Sequence, residues 1–240
     1  MLRASEAWLY MACPQAADKV RKGEAYPEAH KSDFDNEYMA FGRCAHHAIQ
    51  EGLGCVLEPL ADEDRIMAEP MLPKLNQVTA NAIDMVKQSY PGAEWIAETE
   101  HNNGNFQGHT DLWCEEQGIV IDIKTCTKLP SRKTIAIEHY WQLLAYSLLT
   151  GAETLHILYV HSGGEWTVLS DKVSLGNRDV RADRYSLSLV LSDKVLAFRS
   201  YGGHCSKCPW CSVCRVALLP KVGEVTKPVE FCGGSFEGLG

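Results

Sequence analysis

Residues 106–124 read FQGHTDLW-CEEQ-GIVIDIK. Two apolar-rich stretches flank a polar Glu115-Glu116-Gln117-Gly118 turn, which is the pattern of a β-hairpin. Side chains alternate along a strand, so Ile119, Ile121 and Ile123 share one face, with Val120, Asp122 and Lys124 on the other. Burial selects an all-isoleucine face, but packing does not call for two charges on the reverse. Folding the hairpin about residues 116–117 pairs 114 with 119, 113 with 120 and 111 with 122. Asp111 then stands opposite Asp122 with Cβ atoms about 4.5–5.5 Å apart, a spacing at which like charges destabilise the sheet. A bound cation removes that repulsion, and carboxylate oxygens are what hard divalent ions prefer. The pairing depends on the centre of the turn, and a one-residue bulge would move it. Taken alone, Asp122 and Lys124 also read as an exposed ion pair on an edge strand.

Outward from the hairpin, WIAETEH (95–101) reads as a preceding strand, set off by the turn-like Asn102-Asn103-Gly104-Asn105. A helix is expected over Ile137–Leu149 with Thr150-Gly151 as its stop, then a strand TLHILYVH (154–161). Upstream, residues 5–20 read as a helix interrupted at Pro14, residues 33–53 as a longer helix ended by Gly52 and Gly54, and residues 72–90 as a helix stopped by Pro91-Gly92. Leu187, Val190, Leu191, Val195 and Phe198 recur at helical spacing, which predicts a core-facing helix over 185–200.

The chain has 240 residues, 45% hydrophobic and 22% charged, an ordinary globular profile. No apolar run approaches the roughly 20 residues that span a bilayer. The N-terminus lacks a signal peptide's layout, so a cytoplasmic location is expected, in a host cell if the gene comes from a phage. The net charge of −8 argues against broad attraction to nucleic acid, but a catalytic carboxylate cluster adds negative charge by itself.

Four segments in order resemble the RecB-type branch of the PD-(D/E)XK nucleases. Gly108-His109-Thr110-Asp111 resembles its G-x-x-D, Asp122-Ile123-Lys124 its D-x-K, and Gln142-Leu143-Leu144-Ala145-Tyr146 its Q-x-x-x-Y. Upstream, Gly42-Arg43-Cys44-Ala45-His46 is similar to its G-x-x-x-H helix. The resemblance implies a metal-dependent DNA nuclease, more an exonuclease on single strands or ends than a sequence-specific cutter. It implies that Asp111, Asp122, His46 and the Ile123 carbonyl ligate Mg²⁺ or Mn²⁺, and the imidazole favours Mn²⁺. Lys124 would orient or activate the attacking water, with Gln142 and Tyr146 on one helix face beside the site. Glu98 or Glu100 would add a carboxylate, and the sequence does not decide between them.

Four of the chain's ten cysteines, Cys205, Cys208, Cys211 and Cys214, are clustered, which in a reducing compartment points to metal ligation. Some nucleases of the same branch, namely CRISPR-adaptation exonucleases and AddB-type subunits, pair a C-x₂-C-x₅-C triplet with one distant cysteine around a [4Fe–4S] cluster. By that resemblance Cys13, Cys205, Cys208 and Cys214 are the ligands, with zinc as the alternative. Cys211 departs from the pattern and leaves open a local four-cysteine site without Cys13. Such a cluster would close a loop of about 190 residues, a structural role.

Lys128, Arg132 and Lys133 follow the D-x-K strand and are expected DNA contacts or a solvated loop. The expected architecture is α/β, a restriction-endonuclease-like core with a central mixed sheet flanked by helices. Residues 1–219 form one domain: a helical part to about 92, a catalytic core at about 93–165, and a helix with the cysteines at about 185–215. Residues 220–240 read as a flexible tail. DNA is the expected partner. No G-x-x-x-x-G-K-[ST] is present, so unwinding falls to a helicase, recombinase or CRISPR-adaptation partner. The rival readings are a non-catalytic DNA-binding module of this fold and an iron–sulfur redox protein.

Overall fold

A computed structural model describes residues 1–24, 37–126, 136–161, 166–169 and 180–192. In chain order the elements are β1 (Leu2–Arg3), α1 (Ala7–Ala12), α2 (Pro14–Arg21), α3 (Glu37–Gly52), α4 (Asp62–Ala68), α5 (Leu72–Ser89), β2 (Ile96–Asn102), β3 (Phe106–Cys114), β4 (Ile119–Cys126), α6 (Ile137–Thr150), β5 (Thr154–His161), β6 (Trp166–Leu169) and α7 (Val180–Leu191).

The six strands form one mixed sheet in the order β1-β3-β4-β5-β6, with β2 also paired to β3. The β2–β3, β3–β4 and β5–β6 pairs are antiparallel, whereas β4–β5 and β1–β3 are parallel. Between β3 and β4 the register is Cys114 with Ile119, Trp113 with Val120 and Leu112 with Ile121, and there the ladder ends. β4 continues beside β5 as far as Cys126 with His161. The two hairpin strands therefore part company just where Asp111 and Asp122 stand.

Both sheet faces are covered, giving three layers. On one face Ile119, Ile121 and Ile123 pack with Leu112, Leu158 and Val160 against α3, α4 and α5. Each fully buried isoleucine contributes about 1.5–3 kcal/mol relative to exposure, so the register is firmly set. On the other face Val120, Trp113, Ile157 and Tyr159 pack against α1, α6 and α7. This is an α/β fold, a mixed sheet flanked by helices, consistent with a restriction-endonuclease-like core.

Local chemistry explains most boundaries. Cys13 breaks from helical geometry at φ −147°, and Pro14 opens α2, where its missing N–H costs nothing. Gly151 terminates α6 at φ +75°, its N–H donating to the Ser147 carbonyl. The helix expected over 185–200 starts five residues earlier, at Val180, and is described as far as Leu191. Its first turn buries no residue and is held by hydrogen bonds: Asp183 accepts from the Tyr140 hydroxyl at 2.8 Å, and Arg184 donates to the Ser147 carbonyl at 3.0 Å. Leu187, Val190 and Leu191 are buried as expected, whereas Val195 and Phe198 lie outside the described residues. No helix among the described residues is long and apolar enough to cross a membrane.

Candidate active site

The fork between β3 and β4 gathers residues from five elements. From β3, Asp111 turns its carboxylate across the fork, and Oδ2 accepts the Ile123 N–H at 2.5 Å. From α3, the His46 Nδ1 lies 3.6 Å from Asp111 Oδ1. Gln50, one helical turn on, donates to Glu98 Oε1 at 2.8 Å and to the Asp111 carbonyl at 2.9 Å. From β4, Asp122 is fully buried, with the Lys124 ammonium 3.0 Å from Oδ1 and 2.9 Å from Oδ2. From α6, the Gln142 amide donates to Asp122 Oδ1 at 3.2 Å and to the Tyr146 hydroxyl at 2.7 Å.

Asp122 and Lys124 thus pair on an inner strand, Asp122 buried and Lys124 partly buried, not as the exposed edge pair that the strand alone allowed. The direct ladder pairing of Asp111 with Asp122 is also not what forms. The Asp111 side chain takes the N–H of Ile123, and the ladder ends one pair earlier, at Leu112 with Ile121. The two carboxylates still act on each other electrostatically.

β2 carries the residue that the sequence left undecided. Its register with β3 pairs Ala97 with Leu112 and Thr99 with Thr110, and skips Glu98 opposite Asp111. Glu98 adopts φ +47°, the one non-glycine residue with positive φ among the described residues. Such a conformation costs roughly 1–3 kcal/mol and is retained where it aims a side chain. The consequence is that His46, Glu98 and Asp111 each offer a ligand atom within 4.8 Å of the other two. Glu100 lies apart, exposed and 4.0 Å from His109. Of the expected ligand set, His46 and Asp111 converge, Glu98 joins them, and Asp122 stands beside them bound to Lys124 and Gln142. The Ile123 contribution visible here is its N–H.

The electrostatics favour a cation. Burial pushes the Asp122 carboxyl up to about 6, reinforced by the charge of Asp111 and only partly offset by Lys124. Burial also opposes charge on Asp111, yet His46, Lys124 and the Ile123 N–H bring that carboxyl below the usual range. Burial depresses the His46 imidazole, and Asp111 more than reverses this. Burial opposes the Lys124 ammonium too, but Asp122 and Asp111 hold it protonated. Asp122 Oδ2 is buried and faces the Lys124 ammonium at 2.9 Å. The residues present therefore fit a divalent cation: a mixed nitrogen–oxygen donor set and three carboxylates, two of which, on Glu98 and Asp111, offer oxygens within 4.8 Å of a His46 nitrogen.

Both motif glycines mark close approaches. A Cβ on Gly108 would lie 2.7 Å from the Ala4 side chain and 2.9 Å from the Tyr146 ring. A Cβ on Gly42 would lie 2.9 Å from Thr125 Oγ1, which bounds how near α3 comes to the strand carrying Asp122 and Lys124. Burial with Asp122 and Asp111 nearby raises the Tyr146 hydroxyl far above its ordinary value, so it stays neutral. Sequence reasoning missed Gln50, although its place four residues after His46 puts both on one helix face. Cys13 is partly buried at the α1–α2 break, while Cys205, Cys208, Cys211, Cys214, Lys128, Arg132 and Lys133 lie outside the described residues.

Among solved structures the chain is similar to SSO0001, with 15% identity and TM-score 0.36 over 85% of this chain and 96% of that one. It is also similar to a phage related exonuclease from Haemophilus somnus 129PT, with 14% identity and TM-score 0.36 over 81% and 94%. A third is the alkaline exonuclease LHK-Exo from Laribacter hongkongensis, with 12% identity and TM-score 0.31 over 79% and 93%. No curated protein matches the chain. The sequence family is clearer: the model of the PD-(D/E)XK nuclease superfamily matches residues 4–215, the span that holds every element of the site, and the chain belongs to that superfamily.

Proposed function

We propose that this protein is a Mg²⁺- or Mn²⁺-dependent deoxyribonuclease of the RecB-type branch that hydrolyses phosphodiester bonds, acting as an exonuclease on single strands or DNA ends. The observation that carries the reading is the convergence of His46, Glu98 and Asp111 beside the buried Asp122 and its Lys124 partner. Those three residues would hold the ion, with Asp122 adjoining. A bound divalent ion supplies Lewis acidity towards a phosphoryl oxygen and eases deprotonation of water.

The remaining work falls to the chain's own groups. Lys124, protonated between two aspartates, orients the attacking water and offsets charge developing on the scissile phosphate. Gln142 fixes the Asp122 carboxylate and is itself braced by the Tyr146 hydroxyl. Gln50 ties the Glu98 carboxylate to the Asp111 backbone and so fixes the two acidic residues relative to each other. Asp122 is fully buried, with Gln142 of α6 against it, so bulk water does not screen its charge.

Cys13 with Cys205, Cys208 and Cys214 is proposed to bind a [4Fe–4S] cluster, zinc being the alternative; brown protein from anaerobic purification would decide for iron. DNA unwinding is assigned to a partner of the helicase, recombinase or CRISPR-adaptation kind. The test of activity is end-labelled single- and double-stranded DNA with Mn²⁺, comparing wild type with Lys124→Ala. The expected result is cleavage in the wild type and a loss of roughly 10²–10³-fold in the variant, the scale for removing one group that stabilises transition-state charge. Equal cleavage by both proteins would overturn the assignment.

A further inference from the structure

Beside the ligand cluster lies an open cavity of about 920 Å³, to which His46 and Glu98 contribute part of the wall. That volume sits within the roughly 300–1,000 Å³ typical of pockets that take small organic groups. The remaining described wall is largely apolar: Tyr38 and Met39 at the start of α3, and Val56, Leu57 and Leu60 in the connection to α4. Val56 is 99% exposed and Tyr38 50%, an unusual placement for such residues in a chain with two well-filled cores. The charged groups of the wall suit a phosphate poorly. Glu58 and Glu98 are acidic, and the Arg43 guanidinium is engaged by both oxygens of Asp64, at 2.8 Å from Nε.

We infer that this cavity receives an unstacked nucleobase of the strand being cut, adjoining the phosphate held at the carboxylates. The inference rests on the nuclease reading and deepens it. A base seated between Tyr38 and the 56–60 connection cannot be paired, so the protein selects single-stranded DNA or a frayed end. An uncharged flat ring fits the apolar wall, whereas the sugar–phosphate backbone would meet two carboxylates. Continuity through His46 and Glu98 places the base next to the reacting centre, where binding also positions the phosphate.

The test is fluorescence anisotropy in Ca²⁺, using a labelled strand of about 12 thymidines, a length within common single-strand site sizes. The comparison is the same strand with every base replaced by an abasic residue. Wild type should bind the thymidine strand at least about tenfold more tightly than the abasic one, the scale of stacking a base on protein. Val56→Ser and Tyr38→Ala, which add no charge, should abolish that difference while leaving abasic binding unchanged. Val56 is so exposed that its variant serves even where Tyr38→Ala folds poorly. Equal binding of both strands by the wild type, equal weakening of both by the variants, or no binding at all would overturn the inference. Cleavage in Mn²⁺ is read in parallel. Base discrimination without cleavage sinks the nuclease reading alone, and cleavage without discrimination sinks the cavity alone.

Discussion

The Ile123 main-chain N–H donates to Asp111 Oδ2 at 2.5 Å, so a carboxylate stands where the next rung of the β3–β4 ladder would be. One side chain both props open the fork and presents its other oxygen to His46. Its two duties separate on substitution. Asp111→Asn keeps an acceptor for Ile123 and should stay close to wild-type stability while losing cleavage. Asp111→Ala leaves that N–H unpaired and should cost a further 1–3 kcal/mol or so in urea unfolding. Equal stability of the two variants would show that the bond to Ile123 does not brace the fork.

Gln142 and Tyr146 lie in series, not side by side. Gln142 touches Asp122 directly, and Tyr146 acts only through Gln142. Gln142→Ala should therefore lower kcat by about 10–100-fold, on the order of losing one positioning contact. Tyr146→Phe should lower it less, with KM unchanged in both. A larger effect from Tyr146→Phe would mean that its hydroxyl meets substrate.

Two glycines invite a graded comparison. Gly108→Ala pushes into the Ala4 side chain and the Tyr146 ring together and should destabilise by about 1–3 kcal/mol, as overpacking does. Gly42→Ala meets one hydroxyl, and the helix gains about 0.5–1 kcal/mol from replacing glycine, so the net should be near zero. Adding Thr125→Ala should make Gly42→Ala stabilising. Chemical denaturation of the four proteins would check the order.

The stability of metal-free protein should depend on pH in two opposite ways. The folded pKa of Asp122 is raised from 3.8 to about 6, so the folded state holds the proton more tightly than the unfolded one. Its contribution is present below pH 4 and lost as pH rises through 6, and Asp122→Asn should remove that loss. Asp64 is shifted downwards by its hydrogen bonds to Arg43. Its contribution is present above pH 4 and disappears as pH falls through its lowered value, a change that Asp64→Asn should abolish. Thermal melts in EDTA at pH 3, 4, 5 and 7 would separate the two.

Much of this was legible in the chain itself. The alternation in GIVIDIK placed three isoleucines in one core and Asp122 on the opposite face, and the turn position gave two of its three stated hairpin pairs, Cys114 with Ile119 and Trp113 with Val120. Strict alternation failed at the site. Glu98 and Glu100 share a face in an ideal strand, and only the backbone reversal at Glu98 aims one of them at Asp111. That reversal is stabilised by contacts from Gln50 on α3, a tertiary effect with no local sequence signal. The rung beyond Leu112 failed for a related reason: a side-chain acceptor outcompeted the backbone one. β1, β6 and α4 went unread because two- to four-residue strands and a short acidic helix carry too little periodicity.

Calorimetric titration of Mn²⁺ into EDTA-treated protein tests most directly whether the fork is an ion site built by Glu98. Wild type and Glu100→Gln should bind alike, whereas Glu98→Gln should bind about 10–100-fold more weakly, the scale of losing one partner of a metal site. Equal affinity in Glu98→Gln and wild type, or no Mn²⁺ binding by the wild type, would contradict the account.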